Sequence, residues 1–80
     1  MPHFLLQNSH TPAECEASYA AWHGFDSPLR GTPTHSTCLA GGHRIWWNVE
    51  AASAEEALAQ LPRFVAERTE ATRVRDVAIP

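Results

Sequence analysis

Along this 80-residue chain the apolar positions first cluster as in a strand, then recur at helical spacing, and then repeat that sequence of patterns. The opening HFLLQNS is rich in strand formers and stops at polar Asn8, Ser9 and His10, which predicts a first strand over residues 3 to 8. Thr11-Pro12-Ala13-Glu14 comes next: Thr11 can cap, Pro12 suits the first helical position, and Glu14 sits where a capping box wants a carboxylate. A helix is predicted from here to about Trp22. At about 100° per residue, Cys15, Ser18, Tyr19 and Trp22 share one face, Glu14 and Glu16 flank it, and the opposite side is alanine, so Cys15 points inward. Residues 24 to 35, with Gly24, Pro28, Gly31 and Pro33, hold no sustained period and read as a long loop. Asp26, Arg30 and His35 are its candidates for a pocket rim, against the plainer reading of a solvated connector.

STCLA, Gly41-Gly42 and HRIWWNVEA predict a hairpin whose two glycines form a tight two-residue turn. Ser53-Ala54-Glu55-Glu56 is a second capping box, and Ala54, Ala57, Leu58, Leu61, Phe64, Val65 and Arg68 follow at helical spacing. Pro62 removes a backbone donor, so that helix should kink or split near Gln60 or Leu61. TRVRDVAIP reads as a closing strand. The order strand, helix, strand, strand, helix, strand predicts one α+β domain over residues 1 to 80, a ferredoxin-like βαββαβ unit with a four-stranded antiparallel sheet and both helices on one face. Leu5, Leu39 and Trp46 would then lie on the helix-free face and expose an apolar patch in a monomer, which predicts a homodimer through that face.

Composition narrows the function. The net charge is −3 and no basic stripe interleaves with aromatics, so no nucleic-acid partner is expected. MPHFLLQNSH lacks both a charged leader and a long apolar run, which reads as a first strand and gives no membrane attachment; the cytoplasm is the expected compartment. The chain contains no lysine, which removes Schiff-base, P-loop and Ser-Lys chemistries. Arginine as the sole cation beside abundant alanine is what a high-GC genome encodes.

Two segments carry the candidate chemistry. HTPAEC holds His10 and Cys15, CLAGGH holds Cys38 and His43, and each pair encloses four residues. The predicted topology brings both to one end of the sheet. With Gly41 and Gly42 as the turn, Ala40 pairs with His43 and Cys38 with Ile45, so Cys38 and His43 become diagonal neighbours on one face. Two thiolates and two imidazoles suit a zinc ion, and copper or nickel also accept such donors. The spacing does not match zinc-finger knuckles, so convergence in the fold carries the expectation. Three competing readings remain. Cys15 and Cys38 are small core residues with His10 and His43 bonded to backbone. Alternatively, Cys15 is a nucleophile in the first turns of a helix with His10 or His43 as base, or the protein is a small-molecule enzyme using His alone. For either enzyme, a substrate pocket lies between sheet and helices, with Cys15 and His43 at its mouth and residues 24 to 35 as lid.

Taken with its element order, the chain resembles the small ferredoxin-like proteins that pair into dimeric α/β barrels, a group with muconolactone isomerase-like, antibiotic monooxygenase-like and nickel-responsive bacterial members. It also looks like small bacterial proteins sharing a His-(four residues)-Cys segment, a Cys-(four residues)-His segment and a strand ending like Val49-Glu50-Ala51. That resemblance implies the fold and the pairing; no catalytic set of the isomerase or monooxygenase members maps onto these residues.

Overall fold

The computed structural model describes residues 1–80. Four strands, β1 (His3–Ser9), β2 (His35–Ser36), β3 (Arg44–Glu50) and β4 (Thr69–Val74), form one antiparallel sheet in the order β2-β3-β1-β4. Alternation along β1 and β3 sends Phe4, Leu6, Ile45, Trp47 and Val49 to one face, where they are buried with Ala51, Ala57, Leu61 and Val65. The α-helical segments pack on that face. α1 (Cys15–Ala20) follows a 3₁₀ turn at Pro12–Glu14, and its trailing Trp22 lies against Trp47 with ring centroids 5.9 Å apart. The expected break at Pro62 is present: α2 (Ala54–Leu58) ends before it and α3 (Arg63–Ala66) starts after it. Ser53 Oγ accepts from Glu56 N at 3.2 Å, so the second predicted cap forms.

Two expectations are corrected. First, the β2–β3 connection is no two-residue turn. Gly41 has φ 88° and ψ −4° and Gly42 has no positive φ, which fits neither type I′, with positive φ at both central residues, nor type II′, with ψ near about −120° at the first. Instead β2 stops at Ser36, a 3₁₀ turn covers Cys38–Ala40, and Gly42 N closes the loop on Thr37 O at 2.9 Å. A Cβ on Gly42 would collide with the Thr37 side chain. Ser36, not Cys38, pairs with Ile45, and Leu39 stands fully exposed at the turn, away from the sheet face. Second, β4 begins at Thr69 and ends at Val74, earlier than expected, because Val74 pairs with His3 at the start of β1 and later residues have no neighbouring strand. The segment after Gly24 is a loop, as expected, and it is tied down. Ser27 Oγ donates to Gln60 O at 2.7 Å, Leu29 packs on the core, and Thr34 Oγ1 donates to Trp46 O. No helix is long and apolar enough to cross a membrane.

Candidate metal centre

The β1–β3 register pairs Ser9 with Arg44, and one step further His10 N donates to His43 O at 3.0 Å. The two histidines are therefore direct cross-strand neighbours, with ring centroids 5.4 Å apart in an edge-to-face arrangement. Thr37 N donates to Arg44 O at 2.9 Å, and there the strand pairing ends, since Cys38 opens the 3₁₀ turn. Ser36 takes the place opposite Ile45 that was expected of Cys38, and the turn, not strand alternation, brings the Cys38 thiol to the histidines. Cys15 enters from the first residue of α1. One donor atom each from His10, Cys15, Cys38 and His43 lies within 4.8 Å of all the others, and both cysteines are free thiols.

These separations suit a metal ion. Metal–sulfur bonds of about 2.3 Å and metal–nitrogen bonds of about 2.0 Å place tetrahedral donors roughly 3.3–3.8 Å apart. Cys38 Sγ and His10 Nε2 are already 3.7 Å apart. The remaining donors need to close by at most about 1.5 Å.

His10 is 8% exposed, and its tautomer follows from Asn8, which is fully buried. Asn8 Nδ2 faces three acceptors, Val65 O at 3.2 Å, Arg68 O at 3.3 Å and Thr69 Oγ1 at 3.2 Å. The Thr69 hydroxyl spends its own proton on Val65 O at 2.6 Å, so it can only accept from Asn8. The amide orientation is thereby decided, and its Oδ1 faces His10 Nδ1 at 2.8 Å. Nδ1 must carry the proton, and the Nε2 lone pair points toward Cys38. This is the arrangement by which outer-shell groups orient a ligating imidazole. Burial, reinforced by His43, lowers the His10 pKa against a smaller opposing effect of Glu14, and this too favours the neutral ring. The buried Nδ1 of His43 has no hydrogen-bond partner within the chain.

The two thiols differ. Burial resists ionisation of Cys38, but hydrogen bonds with Ser36, Tyr19 and Cys15 outweigh it and hold the thiol below its ordinary range. Burial, and then the neighbouring Cys38, push Cys15 up. Cys38 is thus the first to ionise, with Tyr19 keeping its proton as a donor to it, since that hydrogen bond raises the Tyr19 pKa. Backbone Cys38 N donates to Ser36 Oγ at 3.1 Å and holds the turn. At the other side Glu14 clamps the approach to α1. Its Oε1 accepts from Thr11 N at 2.9 Å, and its Oε2 accepts from Arg68 Nε at 2.7 Å. Those bonds, that to Thr11 foremost, lower the Glu14 pKa to about 2.

All four residues singled out in the sequence are brought together, whereas His3 pairs with Glu50 at the far end of β1. Asn8, Tyr19 and Ser36 went unnoticed as partners of the cluster. Asn8 did leave a signal: it continues the core-facing alternation of Phe4 and Leu6 with a polar side chain, two residues before His10. No protein-family model, curated protein or solved structure matches this chain.

Proposed function

We propose that this protein binds a transition-metal ion through His10, Cys15, Cys38 and His43, zinc first among the candidates and copper or nickel after it, in a storage, sensing or trafficking role. The observation that carries this is the convergence of four soft or borderline donors within 4.8 Å, one of them next to a buried imidazole nitrogen that the protein leaves unpaired. Two thiolates would neutralise a divalent ion, and two neutral imidazoles complete four-coordination. A set of four protein ligands favours holding an ion over activating a water molecule, which needs an open position. The free thiols fit a reducing compartment, and we place the protein in the cytoplasm.

The strand order and the placement of the α-helical segments on one face support ferredoxin-like connectivity and kinship with the dimeric α/β-barrel proteins. A homodimer through the open sheet face is part of the same proposal. Leu5 and Trp46 lie on that face half-buried, and Trp46 Nε1 donates to Gln7 Oε1 at 3.1 Å.

Metal content per subunit, measured by mass spectrometry on untagged protein purified without chelator, tests the proposal, with free thiols counted on the same sample. Near-stoichiometric zinc, copper or nickel, with thiols protected until chelation, is the expected result. Metal-free protein with two freely titrating thiols would overturn it. Sedimentation of that sample reads the dimer separately.

A further inference from the structure

A second feature borders the cluster and uses none of its four donors. Between α1, the segment from Leu29 to Thr34 and the helix-covered face of the sheet lies an open cavity of about 480 Å³. Its size falls within the range of small-molecule sites, roughly 300–1,000 Å³. Buried Ile45 and Trp47 form the floor, and Trp22, tilted by 47° against Trp47, forms a wall with Leu29 opposite. Flat aromatic surfaces of this kind suit a flat apolar body. The polar lining, the rim, comes from His23, Arg30, Thr32, Thr34 and Ser36 with the Tyr19 side chain.

That rim is one-sided in charge. Arg30 is the one formally charged residue lining the cavity, and no Asp or Glu joins it, although the chain as a whole is acidic with a net charge of −3. Arg30 Nη1 donates to Phe25 O at 3.3 Å, which steadies the guanidinium and leaves its other N–H groups to bind. Several other rim groups are already committed: Thr32 Oγ1 donates to Leu29 O, and Thr34 Oγ1 donates to Trp46 O. Ser36 Oγ accepts from Cys38 N, so Ser36 and Tyr19 belong both to the cavity wall and to the surroundings of Cys38.

We propose that this cavity is a binding site for a small planar organic anion, an aromatic carboxylate, with its ring against Trp22, Trp47 and Leu29 and its carboxylate on Arg30. The apolar walls alone would accept any flat molecule. The unopposed guanidinium selects the anion, because a charge-assisted, forked hydrogen bond to a carboxylate is stronger than a neutral one.

Benzoate, with neutral benzamide as its near-isostere, is the probe. Titration of the purified protein is followed by amide chemical shifts and tryptophan fluorescence. A ligand with so few heavy atoms binds at about millimolar strength, so the titration extends above that range. Expected are saturable shifts centred on Tyr19, Trp22 and residues 29 to 34, and binding of benzamide about tenfold weaker, as loss of a charged hydrogen bond implies. The exposed Arg30→Gln variant should bring benzoate down to the benzamide level and leave benzamide unchanged, and Leu29→Trp should abolish both by filling the cavity. Non-saturating shifts, saturable shifts at Trp46 on the opposite face, or equal benzoate affinity in Arg30→Gln each overturn the proposal. Metal content, measured independently, stands apart from every one of these outcomes.

Discussion

Replacing Asn8 by alanine separates an oriented imidazole from one that merely lies nearby. Two of the acceptors that Asn8 serves keep other donors. Val65 O retains the Thr69 hydroxyl at 2.6 Å and Arg68 N at 3.0 Å, and Arg68 O retains Ser9 N at 3.0 Å. The group stranded by Asn8→Ala is His10 Nδ1, buried and without its acceptor. An orphaned buried donor costs about 1–3 kcal/mol of stability. Because the ring is then free to change tautomer, zinc affinity should fall about 10–100-fold, as for other outer-shell partners of ligating histidines. Asn8→Asp gives the discriminating comparison. It keeps an acceptor for Nδ1 but turns a carboxylate oxygen toward Val65 O and Arg68 O in place of the Nδ2 donor. Stability should fall at least as far as in Asn8→Ala, while zinc affinity stays within about threefold of the native protein, since a carboxylate also holds Nδ1–H. Competition against a chromogenic chelator reads affinity, urea unfolding of the metal-free protein reads stability, and nitrogen-15 shifts of His10 read the tautomer. Unchanged affinity in Asn8→Ala, or equal losses in the two variants, would refute the reasoning.

The ligand set predicts that Cys38→Ser and His43→Ala each weaken zinc binding by about 100-fold or more, while His3→Ala, at the other end of β1, leaves it unchanged; the same chelator competition decides. For Glu14, whose folded pKa is lowered from 4.5 to about 2, the stabilisation is complete above pH 4.5 and disappears as pH falls through about 2. Acid unfolding of Glu14→Gln should lack the part of the slope that lies in this window, and a superimposable acid profile would count against the clamp on Thr11 and Arg68. His10 is lowered from 6.5, chiefly by burial, so the unfolded chain takes up its proton first. Metal-free protein should hold its full His10 contribution above pH 6.5 and lose it as pH falls through the folded value, a loss absent in His10→Gln when urea midpoints are compared across that range.

Most of the architecture is legible along the chain because it is made locally. Ser53 caps α2 three residues ahead of Glu56, Pro62 divides the helical run by lacking a donor, and Ile45, Trp47 and Val49 alternate onto the core because a strand permits nothing else. The two His–Cys spacings likewise stand in plain view, and alternation alone sets the face on which His43 lies. The turn departs from the pattern of its glycines because two adjacent glycines permit a tight hairpin without requiring one. What replaced it, a 3₁₀ turn at Cys38–Ala40 closed by Gly42 N on Thr37 O, depends on how far β2 can pair with β3. Where that pairing stops, the turn carries the Cys38 thiol to His10 and His43 instead of leaving it opposite Ile45. Alternation puts Asn8 on the core face two residues before His10, but the partners that orient its amide are not local. Its Nδ2 acceptors lie 57, 60 and 61 residues away, where α3 runs into β4. Ser36 bonds Cys38 within the turn, but Tyr19 meets it only when helix and sheet close together. Periodicity and capping are properties of neighbouring residues and can be read from their order, whereas strand register, the tautomer of His10 and the ionisation of Cys38 belong to groups that folding alone brings together.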